Sequence, residues 1–423
     1  MKKVLVISYY WPPSGGVSVL RTLKIVKYLR NFGWEPIVYV PSNAHYPYLD
    51  QENEKDVPED LTIMRKPILE PFKMFKLITG RGKNQPLNSI VQVREKKFSL
   101  LDKLGIWIRG NFFIPDARAF WIRPSVKFLV SYLKDHPVEA IFTDGPPHTN
   151  TYIANKVKQK TGIPWLSDYQ DPWTQVDYYS MLSIGKRADR IHKSMEQECF
   201  QNADKITIAS PRWKKDLEDI GAKNVEVIYY GYDESDFKEL KKEPSEYFDI
   251  VHIGLLGIDR YPEGFFQVLE SFNDSKLRLV LAGQVDVEVL KGLQKLKNVK
   301  VDFRGTIPRK DALQLAMNAD LLLLPINKAE NARGRLPGKL YEYLRTYNPI
   351  LAFGSTAGDA AQIIKKTETG VTIGYDDSEN QKEFLRALID GTFSLSPDKK
   401  EIASFSNENQ TKKIAQFLDE IIA

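Results

Sequence analysis

Two kinds of apolar pattern alternate along the whole chain. Short unbroken runs of aliphatic and β-branched residues predict strands, and stretches whose apolar positions repeat about every 3.6 residues predict helices. Val4–Tyr9 is a run of the first kind. Gly15 and Gly16 follow it, and then Val19, Leu20, Leu23, Val26 and Leu29 mark one face of a helix. Pro36–Val40, Val138–Thr143, Trp165–Tyr169, Lys205–Ala209 and Val225–Tyr229 predict further strands, with helical stretches between most of them. A second series begins near Asp249. Its strands are Ile250–Ile253, Leu277–Ala282, Val299–Phe303, Leu321–Pro325, Ile350–Phe353 and Val371–Ile373, and its helices lie near 262–272, 286–296, 309–318, 338–346 and 358–365. Strands that alternate with helices form parallel sheets covered by helices on both faces. The expected class is therefore α/β, with two consecutive Rossmann-like doubly wound domains facing a cleft. The joint falls around Asp236–Tyr247, a charged stretch containing Pro244. Ligands of such sheets sit beyond the carboxyl ends of the strands.

The segment 42–115 departs from this rhythm. It holds six prolines, scattered aromatics, and no regular alternation, and it reads as an insertion in the first domain. Charge singles out the same region. The 423-residue chain carries a net +5, but residues 61–110 alone hold eleven Lys and Arg against three acids, so the remainder is slightly acidic. Phe72, Phe75, Ile78, Phe98, Leu101, Leu104, Trp107 and Ile108 are interleaved with those cations, which suits an anionic membrane surface. A soluble basic loop has the same composition. No nucleic-acid motif accompanies the patch, so no nucleic-acid partner is expected. The single cysteine, Cys199, excludes an intramolecular disulfide and a multi-cysteine metal site. The apolar runs are too short to span a bilayer, and the start of the chain has too short an apolar core for a signal peptide. A cytoplasmic protein is expected, with peripheral contact to the inner face of the membrane through residues 61–110.

Six constellations can carry chemistry. Trp11-Pro12-Pro13-Ser14-Gly15-Gly16 joins the first strand to the first helix, where glycines admit a ligand to free backbone N–H groups. It lacks the spacing of a dinucleotide fingerprint or a phosphate loop. Asp144-Gly145-Pro146-Pro147-His148 and Asp168-Tyr169-Gln170-Asp171-Pro172-Trp173 each follow a strand. Asp168, Asp171 and His148 are candidates to orient hydroxyls or move a proton. Asp171 serves equally well as a turn cap. Tyr230-Gly231-Tyr232-Asp233 closes the first domain as a turn. Gly254-Leu255-Leu256-Gly257-Ile258-Asp259-Arg260 opens the second, with Gly257 allowing close approach and Arg260 placed to clamp a phosphate. Arg333-Gly334-Arg335-Leu336-Pro337-Gly338-Lys339-Leu340-Tyr341-Glu342 is the most informative. Pro337 suits a first helical turn, and Lys339 and Glu342 share one face of it. Arg335, Lys339 and the helix N-terminus make a cationic pocket for a diphosphate. Glu342 is then available to a ribose. No Asp-x-Asp is placed to hold a metal on a diphosphate, so neither metal nor cofactor is expected.

Taken in order, these segments resemble the GT-B-fold glycosyltransferases, specifically the retaining family 4 group of bacterial polysaccharide and capsule biosynthesis. The resemblance rests on the Trp-Pro-Pro-x-Gly-Gly loop, Gly-Pro-Pro-His at 145–148, Asp-x-x-Asp-Pro-Trp at 168–173 and Tyr-Gly-Tyr-Asp at 230–233. It continues through Phe-x-Gly-Thr-Ile-Pro at 303–308 and Lys-Leu-Tyr-Glu-Tyr-Leu at 339–344. It implies an acceptor-binding domain over 1–235, a nucleotide-sugar domain over 236–405 and a last helix, 406–423, returning to the first domain. It implies donor contacts from Gly15, Gly16, Gly257, Arg260, Thr306, Ile307, Arg335, Lys339, Leu340 and Glu342. The substrates it implies are a nucleotide-sugar, UDP-linked by preference, and a glycan or lipid-diphosphate-linked acceptor. The family's paired glutamates are separated by seven residues, and here the first of them falls at Gly334. That departure keeps a non-catalytic partner of the same fold in view. A nucleotide-sugar 2-epimerase-type enzyme is the other alternative.

Overall fold

The computed structural model describes residues 1–46, 48–70, 100–328 and 330–423. Most of the basic insertion, including Phe72, Phe75, Ile78 and Phe98, lies outside the described residues. The chain divides into two compact units: Met1–Tyr229 with Asn407–Ala423, and Tyr230–Ser406.

The first unit is built on a seven-stranded parallel sheet in the order β3-β2-β1-β4-β5-β6-β7. Its strands are β1 (Lys2–Ile7), β2 (Trp34–Pro41), β3 (Thr62–Lys66), β4 (Ala140–Gly145), β5 (Trp165–Tyr169), β6 (Lys205–Ile208) and β7 (Val225–Val227). Helix α1 (Val17–Leu29) starts at Gly16, whose φ of 93° only glycine adopts without strain. Val19, Leu23, Val26 and Leu29 of α1 are fully buried. They share a core with Val4, Val6, Trp34, Val38 and Phe142 of the sheet and with Ile414, Ala415 and Leu418 of the last helix, Asn407–Ile422. The remaining helices α2 (Leu100–Phe112), α3 (Ile122–Asp135), α4 (His148–Thr161), α5 (Lys186–Asn202) and α6 (Pro211–Asp219) complete the layers. In α6 the predicted logic of a start signal is explicit: Ser210 accepts from the Trp213 N–H at 3.3 Å, and Pro211 follows it. β3 was not expected. It is an edge strand with a mostly exposed pattern, and it carries no apolar run for periodicity to detect.

The second unit holds a six-stranded parallel sheet in the order β10-β9-β8-β11-β12-β13. These are β8 (Phe248–Ile253), β9 (Leu277–Ala282), β10 (Lys300–Gly305), β11 (Leu321–Pro325), β12 (Ile350–Phe353) and β13 (Gly370–Ile373). Phe265, Leu269, Leu279, Leu281, Leu321, Leu323, Leu351 and Phe353 form its dry centre. Two of its helices bear on the site, α7 (Gly338–Thr346) and α8 (Asp359–Lys366). Pro337 caps α7 with extended ψ rather than entering its first turn as expected. In each sheet the strand order reverses once, between β1 and β4 and between β8 and β11. Chain connections leave in opposite directions at such a point, which opens a crevice at the carboxyl ends of the strands. The predicted loops fall at both.

Candidate functional site

In the second unit the crevice is made by backbone first. Gly254, Gly283 and Gly305 end β8, β9 and β10, all at positive φ. The Gly254 N–H donates to Ala282 O at 2.7 Å and the Gly283 N–H to Gly305 O at 2.6 Å. A Cβ on Gly283 would lie 2.3 Å from Gly254 O, so only glycine lets these two loops meet. Gly257 starts the single turn that carries Arg260. Arg260 Nη2 sits 3.0 Å from Asp259 Oδ2, and both side chains are largely shielded.

Helix α7 supplies the rest. Lys339 reaches across the switch point, and its Nζ donates to Ile253 O at 2.6 Å, at the end of β8. Burial and the positive charge of Arg260 lower its pKa to about 7, against the pull of Glu342. Glu342 Oε1 is 2.6 Å from Arg309 Nη1, and Arg309 also holds Asp236 at 3.0 Å. Burial works against the Arg309 cation, but the two carboxylates more than offset it and its pKa is raised. Arg309 escaped the sequence reading because its partners lie 33 and 73 positions away. Arg335 is half-buried in the loop before α7, Thr306 is exposed after β10, and Ile307 is partly buried beside it. Leu340 is different. Its side chain is fully buried and its N–H donates to Pro337 O at 2.9 Å, so neither faces a ligand. The expected donor contact from Leu340 is withdrawn on those grounds.

In the first unit the loop 11–16 is pinned by the segment that follows β2. Gly15 N–H donates to Tyr48 O at 2.9 Å, and a Cβ on Gly15 would intrude on the Tyr48 ring. Asp168 is corrected from a candidate proton carrier to a strut. It is fully buried, it accepts two hydrogen bonds of 2.7 Å from Arg21 of α1, and it accepts a third from Thr207 Oγ1 at 2.6 Å. Asp171 is partly buried just beyond β5.

His148 opens α4 and lines a cavity of about 310 Å³ with Tyr10, Phe113, Arg118, Trp173 and His192. Its ring stacks on Trp173 at 4.7 Å, and neither ring nitrogen has a hydrogen-bond partner among the described residues. Burial, helped by His192, lowers its pKa to about 3. A neutral imidazole of that kind hydrogen-bonds a hydroxyl well but is a weak general base. Asp116 holds the helix start by accepting from the Thr149 N–H and hydroxyl, both at 2.9 Å. Arg118, also missed in sequence, is buried over the Tyr9 ring at 4.5 Å.

No family model and no curated protein matches this sequence. Solved structures do match its fold. Anabaena HepE in complex with UDP aligns over 99% of this chain and 97% of its own, at 14% identity and a TM-score of 0.58. The lipopolysaccharide outer core galactosyltransferase WaaB aligns over 99% of both chains, at 16% identity and a TM-score of 0.58. The chain has a GT-B fold. A UDP-N-acetylglucosamine 2-epimerase also aligns, over 99% of this chain and 96% of its own, at 13% identity and a TM-score of 0.56. At such identities the likeness is one of fold. Transferases and epimerases share it, so the residues must separate the two.

Proposed function

We propose that this protein is a glycosyltransferase that takes its nucleotide-sugar donor in the second unit. The observation that carries the reading is Lys339, Arg260 and the Arg309-braced Glu342 gathered at one switch point behind a glycine-built crevice. Two cations beside free helix N–H groups suit a leaving diphosphate, and a braced carboxylate suits a ribose diol. HepE and WaaB add support, the first bound to UDP and the second a galactosyltransferase. A UDP-sugar is the favoured donor.

The finer reading is transfer with retention in a bacterial surface-polysaccharide pathway. The sugar–phosphate bond breaks as the sugar–acceptor bond forms, and the acceptor proton passes to the departing diphosphate. No metal takes part in this scheme. The cavity at His148 accepts the acceptor, with Asp171 near it. A lipid-linked acceptor is favoured by exposed apolar side chains on α2, the helix that also supplies Arg109 and Gly110 to the cavity: Leu104, Trp107 and Phe112, the last 70% exposed, with exposed Phe120 against the cavity-lining Phe113. Arg109 lies among them and lines the cavity, as befits a membrane-facing mouth. Among the described residues no helix is long and apolar enough to cross a membrane.

Thermal shift of the purified chain against UDP, GDP, CMP and dTDP tests the donor site. One nucleotide should raise the melting temperature by mass action. Glu342→Ala and Lys339→Met should abolish that rise. Nucleotide release that requires an acceptor then separates a transferase from an epimerase, which isomerises its sugar alone. Gly334, where the resemblance calls for a glutamate, favours a non-catalytic partner if nucleotide binds without turnover.

A further inference from the structure

The second unit contains a cavity of about 360 Å³ at the carboxyl ends of β11 and β12. Ile326, Asn327, Lys328, Arg333, Ser355 and Tyr375 line it. Gly358, which caps α8 without any side-chain bond, brings the N-terminus of an eight-residue helix to the cavity wall, with Asp359 in its first turn. Arg260 does not line the cavity but lies close to its wall. The carbonyl of its neighbour Asp259 accepts from the Lys328 N–H at 2.8 Å, and its charge acts on the Tyr375 hydroxyl.

Three polar side chains in this cavity make no hydrogen bond or ion pair among the described residues. Asn327 is only 8% exposed, and its amide has no hydrogen-bond partner among the described residues. Lys328 Nζ lies 4.4 Å over the Tyr375 ring and has no ion-pair partner among the described residues. Arg333 is exposed and has none either. No acid is among the described lining residues. Two cations and an amide that have no ionic or hydrogen-bonded partner among the described residues share one space with a helix N-terminus, and their shared preference is an anion.

We propose that this cavity receives a carboxylate borne by the transferred sugar, so that the donor is a nucleotide-linked uronic acid. The proposal rests on the donor reading above, in which Lys339 and Arg260 take the diphosphate next door. Where the resemblance places a glutamate on the sugar, this chain has Gly334 between two arginines. A glutamate there would repel an acidic sugar, and Arg333 attracts one.

The test is binding of matched donor pairs by titration calorimetry. The pairs are UDP-glucose with UDP-glucuronate and GDP-mannose with GDP-mannuronate, with UDP, GDP and inorganic phosphate as references. For the pair whose nucleotide binds, the acidic sugar should bind at least about tenfold more tightly than the neutral one. Arg333→Gln and Lys328→Gln should each shrink that ratio while leaving the bare nucleotide unchanged. Equal affinity within the pair overturns the proposal. So does an equal loss of bare nucleotide, neutral donor and acidic donor in Arg333→Gln, because the cavity then holds the diphosphate itself. If no nucleotide binds the wild type, the donor reading fails and the proposal falls with it.

Discussion

Lys339 meets two opposed demands. It must be close enough to a diphosphate to hold it, yet burial by the protein strips its water and sets Arg260 beside it. The result is a pKa near 7. Only the ammonium form pairs with phosphate. Nucleotide-diphosphate affinity should therefore be full below pH 7 and decline as pH rises through it, a trend that Lys339→Met should flatten while weakening binding about tenfold or more. Titration at pH 6 and pH 9 checks both statements. Gly283 poses a steric question. Gly283→Ala would put a Cβ 2.3 Å from Gly254 O at a φ of +124°. The second unit should lose about 2–4 kcal/mol, read as a shift of its calorimetric transition. Gly254 and Gly257 stood out in the sequence because they bracket a strand–helix turn. Gly283 did not, since what makes it obligatory is a carbonyl 29 positions earlier.

Helices and strands were legible wherever burial is two-sided. Leu321–Pro325 and Ile350–Phe353 begin and end where their apolar runs do, because a strand covered on both faces leaves little room for polar side chains. β3 escaped because an edge strand need not be apolar. Polar residues inside such an element are ambiguous in sequence, and Asp168 is the example. An acid at a strand end reads as chemistry, but this one ties β5 to α1 through Arg21. Arg21→Met leaves a buried carboxylate without its counter-charge, so the first unit should lose about 3–5 kcal/mol. Adding Asp168→Asn should recover part of that loss, since the amide oxygen still accepts from Thr207. All seven tryptophans lie in the first unit, at positions 11, 34, 107, 121, 165, 173 and 213, so their fluorescence in urea reports it alone.

For the molecule as a whole, the chain does not finish where its second unit does. Asn407–Ile422 goes back to the first unit and seals its core with Ile414, Ala415 and Leu418, all buried. A chain ending at Ser406 should lose the cooperative tryptophan transition of the first unit. The second unit, whose core draws nothing from that helix, should keep its own transition by calorimetry. Loss of both transitions would show that the last helix supports more than the core it covers.

By itself the sequence determined the elements other than β3 in outline, with their α/β class and the two sheets, because burying apolar runs against amphipathic helices is a local rule repeated along the chain. It also marked the turns that reach the switch points, since glycine and proline declare backbone geometry locally. Only the tertiary structure decided which polar residues are free to act. Asp168 is spent on Arg21, and Glu342 is braced by Arg309. Among the described residues His148 keeps both ring nitrogens without a hydrogen bond beside a cavity, and Lys328 and Arg333 meet no acid around another. Charge compensation and desolvation depend on neighbours distant in sequence, so the chemistry of these side chains is set by the fold that brings those neighbours together.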